Sequence, residues 1–429
     1  MKNNIDLNEM GLCQMLRALE DDACTTEALI EACFNRIEAR ESDVGAWQVN
    51  RTREEYLAYY QANKAVFDAS VLKGLPLGVK DIIDTQEMLT EMGSPIHVGR
   101  QPVEDATCVA LIRAAGGIVL GKTVTTEFAY FKPGKTKNPA DLERTPGGSS
   151  SGSAAAIADN MVPMALGSQT AASVIRPAAY CGAIGYVGSR GEFSLRGGQP
   201  LAQSLDSLGL FARNVEDIQL LRAILLRQSV SIKANKAVSP KCVMVCHGEC
   251  VGETSTAMKK ATESAIELLK SQGVQVIELD AGNRIKDMVN HHINIMAWEV
   301  CRNLATESFE EEQLSDPLAA LMKQGLTMDR STYINSLHET QMCQEWLWSY
   351  APEVEVVLAP AAPDIAPLGH SATGAPHMSR PWQAMGLPVI NVPGMKDENG
   401  IPLGLQLIGK YREDDALLSY ASWFKELLN

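Results

Sequence analysis

Residues 145–153, Thr-Pro-Gly-Gly-Ser-Ser-Ser-Gly-Ser, and residues 167–176, Gly-Ser-Gln-Thr-Ala-Ala-Ser-Val-Ile-Arg, are the most informative stretches of this chain. They concentrate small hydroxyl residues in turn-forming backbone, with no histidine nearby. A serine that attacks a carbonyl needs a proton acceptor within hydrogen-bonding reach and N–H groups directed at the developing oxyanion. The two stretches therefore predict a serine nucleophile whose general base is not histidine.

Lysine is the remaining candidate for this base. Lys80 stands at the end of a short apolar segment, Gly-Leu-Pro-Leu-Gly-Val-Lys-Asp, at residues 74–81. Burial disfavours the charged form of an amine and lowers the pKa of lysine from about 10.4 towards neutrality. We therefore expect Lys80 to be buried and to accept a proton.

In these residues the chain resembles the amidase signature family, whose catalytic unit is a lysine, a serine in a cis peptide and a nucleophilic serine. The resemblance assigns the lysine to Lys80, the bridging serine to Ser149 and the nucleophile to Ser173, with the family's spacing between the two serines. It also implies a cis peptide bond on one side of Ser149. Further segments that resemble the family are residues 121–128, 176–182, 204–209 and 386–394.

The chemistry implied by the resemblance is amide hydrolysis through a seryl acyl-enzyme, without a metal or a cofactor. Lys80 takes a proton from Ser173 through Ser149 and later returns it to the leaving nitrogen. The expected substrate is a small amide. The backbone N–H groups expected to bind the oxyanion belong to Thr170, Ala171, Ala172 and Ser173.

Two segments depart from the family pattern. Relatives usually have Gly-Gly-Ser where this chain has Ala171-Ala172-Ser173, and an alanine held at positive φ costs on the order of 1 kcal/mol. Relatives also commonly have Lys-Pro-Thr where this chain has residues 187–189, Val-Gly-Ser. These departures predict altered or weakened catalysis, and they leave open a repurposed protein that binds or transfers an acyl group with little hydrolysis.

A third departure concerns substrate recognition. Most relatives have an aspartate at the position of Gln169 and an arginine at that of Ile175, whereas this chain has Arg176 in the pattern Ser-Val-Ile-Arg-Pro, which resembles malonamidases. Without the aspartate, Arg176 is free to bind a substrate carboxylate, for which its planar guanidinium is well suited. The alternative is that Arg176 caps backbone carbonyl groups.

Composition favours a cytoplasmic enzyme. The 429 residues carry a net charge of −14, which argues against a broad nucleic-acid-binding surface, and no apolar run suggests a signal peptide or a membrane span. Ten scattered cysteines are typical of reduced thiols. Large cytosolic enzymes are commonly homodimers, and a homodimer is expected on this general ground alone.

The pattern of elements predicts an α/β fold, with a large mixed central β-sheet covered by helices on both faces. Short β-rich segments at residues 77–81, 117–121, 242–246, 274–279 and 353–359 alternate with helical ones. Residues 1–68 are predicted as a helical N-terminal part, with the helical pattern over residues 7–68. Residues 284–348 are predicted as a mostly helical stretch able to cover the site, although the sequence does not show where it packs. All of these lie in one predicted domain, residues 1–429.

Other functional classes have weaker support. Residues 116–123 match the sequence pattern of a phosphate-binding loop, which follows a strand and precedes a helix. Here a helix is predicted before the segment and a strand within it, so the match is not supported by its context. Cys242, Cys246, His247 and Cys250 lack the paired spacing of a structural zinc site and are better interpreted as core thiols. Within the family, the alternative is the A-type subunit of a glutamine-dependent tRNA amidotransferase.

Overall fold

The protein is described here by a computed structural model that covers residues 6–233 and 236–428. Residues 1–5 and 429, at the two ends of the predicted domain, lie outside the described residues. All ten cysteines are within them, and none is disulfide-bonded, as predicted. In the described part of the chain, no helix is long and apolar enough to cross a membrane.

Eleven strands form one mixed sheet, in the order β1-β3-β2-β4-β6-β5-β10-β11-β9-β7-β8. Strand β2 is parallel to both β3 and β4, whereas β4 is antiparallel to β6. The strands are β1 Trp47–Asn50, β2 Pro76–Lys80, β3 Ile118–Thr123, β4 Met164–Gln169, β5 Ile184–Val187, β6 Ser207–Ala212, β7 Cys242–Val245, β8 Gln275–Glu278, β9 Val356–Pro360, β10 Val389–Lys396 and β11 Pro402–Ile408.

Fourteen α-helices lie in the described residues. They are α1 Leu12–Glu20, α2 Thr26–Val44, α3 Arg53–Ala62, α4 Lys64–Asp68, α5 Thr107–Ala114, α6 Ser151–Ala158, α7 Ile175–Cys181, α8 Val215–Leu225, α9 Thr256–Ser271, α10 Arg284–Asn303, α11 Asp316–Thr327, α12 Arg330–Tyr350, α13 Arg380–Met385 and α14 Asp414–Leu427.

Each face of the sheet has its own hydrophobic core. Side chains alternate along a strand, so successive residues pack on opposite faces. Leu166 of β4 and Leu210 of β6 belong to one core, which α1, α5, α8 and α14 also line. Their neighbours Ala165 and Phe211 belong to the other, which is lined by α2, α6 and α7. The predicted α/β fold with helices on both faces is therefore confirmed.

The N-terminal part is not helical throughout. Strand β1 interrupts the helices and pairs with β3, placing Trp47 opposite Thr123. Helix α2 ends before Gly45, whose φ of +64° is a conformation that glycine adopts without steric cost. The segment predicted to be helical, residues 7–68, contains α1 to α4, and the prediction is wrong at the four residues of β1, because pairing with a distant strand decides their conformation.

The helical stretch at residues 284–348 consists of α10, a 3-10 segment at Glu307–Gln313, α11 and α12. Helix α10 packs against α13, whose sequence position is about eighty residues later. This contact brings Met296 of α10 to the wall of the cavity described below and His292 next to that wall. The sequence predicted the helices, and their packing follows from the structure.

The packing of α11 on α10 depends on a glycine. A Cβ atom at Gly325 would lie 1.7 Å from the carbonyl oxygen of Ala297. We expect Gly325→Ala to lower the free energy of unfolding by about 1–3 kcal/mol, although alanine is by about 1 kcal/mol the better helix former. Chemical denaturation measures this change. The exposed neighbour provides the control, Gln324→Ala, which should change stability by less than about 0.5 kcal/mol. A more stable Gly325→Ala protein would contradict the described packing.

Candidate active site

Lys80 is the last residue of β2 and is fully buried. The parallel pairing of β2 with β4 sets Val79 beside Leu166, so that the Lys80 side chain reaches the end of β4. Its Nζ lies 2.6 Å from Ser149 Oγ, 2.8 Å from Ser168 Oγ and 3.3 Å from the carbonyl oxygen of Ser168. The amine is thus surrounded by three oxygen atoms, none of which belongs to a carboxylate.

This environment favours a neutral amine. Burial lowers the pKa of Lys80 well below its usual value, and the negative charge of Asp206 opposes that shift only in part. A neutral amine has two N–H donors and one lone pair. The carbonyl of Ser168 must accept one N–H and the Ser168 hydroxyl can accept the other, which leaves the lone pair for the O–H of Ser149. The geometry therefore suits a base that takes a proton from Ser149.

Ser149 and Ser173 line the same cavity. Ser149 follows a cis peptide bond from Gly148, one of the two bonds at which the family resemblance predicted one. The backbone N–H of Ser150 donates to the carbonyl oxygen of Ser173, at 3.2 Å, and so joins the two serine segments directly. The structure brings together all three residues of the predicted triad.

The segment from Thr170 to Ser173 leaves β4 and precedes α7. Within the described residues, the N–H groups of Thr170, Ala171, Ala172 and Ser173 have no hydrogen-bond acceptor, and all four residues line the cavity. Neither alanine has a positive φ. The strain anticipated from replacing the family's two glycines is therefore absent, and the row of free N–H donors is compatible with alanine side chains.

Gln169 organises the turn from its side chain. Its Oε1 accepts the N–H groups of Val174 and Ile175, at 2.9 and 3.1 Å, and its Nε2 donates to Oε1 of Gln383. The side-chain oxygen of Gln169 thereby accepts hydrogen bonds from two buried backbone N–H groups next to Ser173. The aspartate that most relatives have at this position could accept the same two bonds. Among the described residues, no hydrogen bond joins the side chains of Gln169 and Arg176.

Arg176 lines the cavity but is engaged by the protein. Its guanidinium donates to the carbonyl oxygens of Gly374 and Gly148 and to Thr373 Oγ1, the last two at 2.7 and 3.0 Å. Its Nε is buried without a hydrogen-bond partner. The carbonyl-capping arrangement left open by the sequence is present, and Arg176 ties the segment at 373–374 to the turn before Ser149.

The altered segment at residues 187–189 lies outside this cavity. Ser189 Oγ donates to Oδ2 of Asp414, at 2.6 Å, and the Tyr186 hydroxyl donates to Oδ1 of the same carboxylate. These bonds fix α14 to β5. The replacement of the family's Lys-Pro-Thr therefore changes a packing contact rather than a group that lines the cavity.

Four residues next to the predicted catalytic groups were not predicted as site residues. Ser168 contacts Lys80, and Asp206 accepts a hydrogen bond from the Thr170 hydroxyl at 2.5 Å. His292 lies 2.7 Å from the carbonyl oxygen of Thr170 through Nε2 and 3.0 Å from Arg380 through Nδ1. The only signals were the position of Ser168 close before Thr170 and that of Asp206 in the family-like segment 204–209. Nothing local marks the other two.

The comparison with protein families agrees with this arrangement. The Amidase family model matches residues 28–418. The chain belongs to the amidase family.

Relatives of this amidase-family protein include the A-type subunits of glutamyl-tRNA(Gln) amidotransferase from Lysinibacillus sphaericus and from an Exiguobacterium species. The first is 30% identical over 93% of this chain and 92% of its own length, and the second is 29% identical over 98% of both. A crystal structure of an amidase has a TM-score of 0.87 at 27% identity and covers 98% of this chain and 100% of its own. The corresponding amidotransferase protein from Thermotoga maritima has a TM-score of 0.81 at 25% identity, covering 99% and 96%.

A pH-dependent reactivity of Ser173 follows from the buried amine of this amidase-family protein. We expect a fluorophosphonate probe to label Ser173 faster as the pH rises through the depressed pKa of Lys80, because deprotonation creates the base. The labelling rate should level off well below pH 10, and Lys80→Met should abolish this rise. Mass spectrometry of the labelled peptide over pH 5 to 10 measures it. The exposed Lys270→Met protein is the control, and a pH-independent rate in the unmodified protein would contradict the assignment.

Proposed function

We propose that this protein is an amidohydrolase that cleaves a small carboxamide to the acid and ammonia or an amine through an acyl-enzyme on Ser173. The observation that carries the proposal is the 2.6 Å contact between the buried amine of Lys80 and the Ser149 hydroxyl, beside Ser173. Burial lowers the pKa of Lys80 well below its usual value, which supports a role for Ser149 as a proton bridge. The family's name supports the same class of reaction.

The reaction begins when Ser173 Oγ attacks the amide carbonyl carbon. The Ser173 proton passes to Ser149 Oγ while the Ser149 proton passes to the lone pair of Lys80. Ser173 has then lost one proton, Lys80 has gained one, and Ser149 is unchanged. The carbonyl oxygen becomes an oxyanion within reach of the free N–H groups of the segment 170–173. The loss of one such donor costs roughly 3 kcal/mol of transition-state stabilisation in other hydrolases.

Collapse of the tetrahedral intermediate breaks the C–N bond. The ammonium form of Lys80 returns its proton through Ser149 to the leaving nitrogen, which departs as ammonia or an amine. Water then attacks the ester of Ser173 by the reverse route and releases the acid.

A second candidate function is suggested by the curated relatives, which are A-type subunits of glutamyl-tRNA(Gln) amidotransferase. In that case the ammonia set free when the acyl-enzyme forms would pass to a partner-bound acceptor, and water would then hydrolyse the acyl-enzyme. The net charge of −14 is unfavourable for a chain that contacts tRNA itself. A third possibility, acyl transfer with little hydrolysis, has less structural support because neither Ala171 nor Ala172 is strained.

Ammonia release from small amides tests the proposal. We expect the isolated chain to hydrolyse members of a panel of small amides, and Ser173→Ala to lower kcat/KM by at least about 10³-fold. The exposed Ser271→Ala protein should keep full activity. L-Glutamine in the panel tests the amidotransferase alternative, and hydroxamate formation with added hydroxylamine tests acyl transfer. Release of ammonia that persists undiminished in Ser173→Ala would refute the mechanism.

A further inference from the structure

Two arginines, Arg176 and Arg380, line the cavity that contains Ser149 and Ser173. Each is at least nine-tenths buried, with exposed fractions of 3% and 5%. Within the described residues, neither forms a salt bridge, and no carboxylate lines the cavity. Buried arginines are normally paired with an anion, because burying an uncompensated charge is costly. The cavity is therefore built to receive negative charge.

The two guanidinium groups differ in how many N–H donors are available to a ligand. Arg176 donates to three oxygen acceptors of the protein, and its Nε is fully enclosed. A ligand could engage it only by displacing those acceptors. Arg380 makes a single hydrogen bond through its guanidinium, to Nδ1 of His292. None of its nitrogens is among the enclosed unpaired atoms, so its remaining N–H donors are accessible from the cavity that it lines.

His292 determines the orientation of Arg380. Its Nδ1 faces a guanidinium, which can only donate, and its Nε2 faces the carbonyl oxygen of Thr170, which can only accept. The ring is therefore the neutral tautomer with its proton on Nε2. Burial and the nearby charge of Arg380 both lower the pKa of His292, which agrees with this state.

The same histidine links Arg380 to the row of free N–H groups. The N–H and C=O groups of a trans peptide point in opposite directions. The bond from His292 to the Thr170 carbonyl therefore directs the Ala171 N–H away from α10, where it has no acceptor among the described residues. Arg380 and the oxyanion-binding segment are thus held by one rigid side chain.

We propose that Arg380 is the residue that binds the carboxylate of the substrate, and that the substrate is a short-chain amide carrying a carboxylate at its other end. The inference rests on the proposed function for the amide half of the substrate. It transfers to Arg380 the role that the sequence predicted for Arg176, which instead holds the backbone around the cavity. The guanidinium of Arg380 is 5% exposed, lines the cavity and has N–H donors left for a carboxylate, which a guanidinium can bind through two parallel hydrogen bonds.

The test compares malonamate with malonamide, which replaces the carboxylate by a carboxamide of nearly the same shape. Succinamate and succinamide extend the comparison by one methylene group. For the wild-type protein we expect kcat/KM to favour the carboxylate member of at least one pair. In Arg380→Gln the ratio of the two kcat/KM values should fall about 10- to 100-fold, mainly through KM. Arg176→Lys should lower thermal stability and change this ratio by less than about threefold.

A binding measurement separates this proposal from the proposed function. Malonate and succinate carry the recognised carboxylate but no amide. Titration calorimetry with the Ser173→Ala protein therefore measures the affinity of the anion site for these dicarboxylates without turnover. Arg380-dependent binding without any amide hydrolysis would retain the anion site and reject the hydrolase. Hydrolysis of amides with no preference for the carboxylate member, or a preference lost in Arg176→Lys but kept in Arg380→Gln, would overturn the assignment of Arg380. Absence of dicarboxylate binding would overturn it as well.

Discussion

The contact between the Lys80 amine and the Ser149 hydroxyl is the interaction on which the rest of the site depends. A lysine amine buried without a carboxylate partner is tolerated because its neutral form can pair with three oxygens, those of Ser149 and Ser168. The parallel pairing of β2 with β4 creates this environment by bringing the ends of the two strands together. The large sheet, packed on both faces, buries the lysine, and this burial lowers the pKa of Lys80 well below its usual value.

The second constraint is that four consecutive backbone N–H groups stay free beside Ser173. Buried N–H groups are nearly always paired in folded proteins, so an unpaired row is unfavourable unless a ligand completes it. Three side chains stabilise the turn without using these donors. Gln169 accepts the next two N–H groups, Asp206 fixes the Thr170 hydroxyl, and His292 holds the Thr170 carbonyl. The turn is therefore held by side chains from three separate parts of the chain, while its own N–H groups have no acceptor among the described residues.

The two arginines that line the cavity also differ in what they bind. Arg176 and Arg380 come from two different helices, and the positive charge of Arg380 lowers the pKa of both Arg176 and His292. Arg176 directs its donors to carbonyl groups that shape the wall. Most N–H donors of the Arg380 guanidinium remain available to a molecule that enters the cavity. This asymmetry cannot be inferred from either residue's neighbours in sequence, since it depends on where the segment at 373–374 and helix α10 pack.

The sequence alone determined the α/β class, the strands with apolar β-rich composition, the long helices, and the identity of Lys80, Ser149 and Ser173. Regular hydrophobic periodicity and a family-like motif carry this information locally. It did not determine β1, β4, β5, β6, β10 or β11, because the strand structure of these segments depends on pairing with strands distant in sequence. Only the tertiary structure decided that Ala171 and Ala172 are unstrained, that Arg176 is engaged by carbonyls, and that Ser168, Asp206, His292 and Arg380 surround the site. These properties arise from contacts between segments up to two hundred residues apart, which no local pattern records.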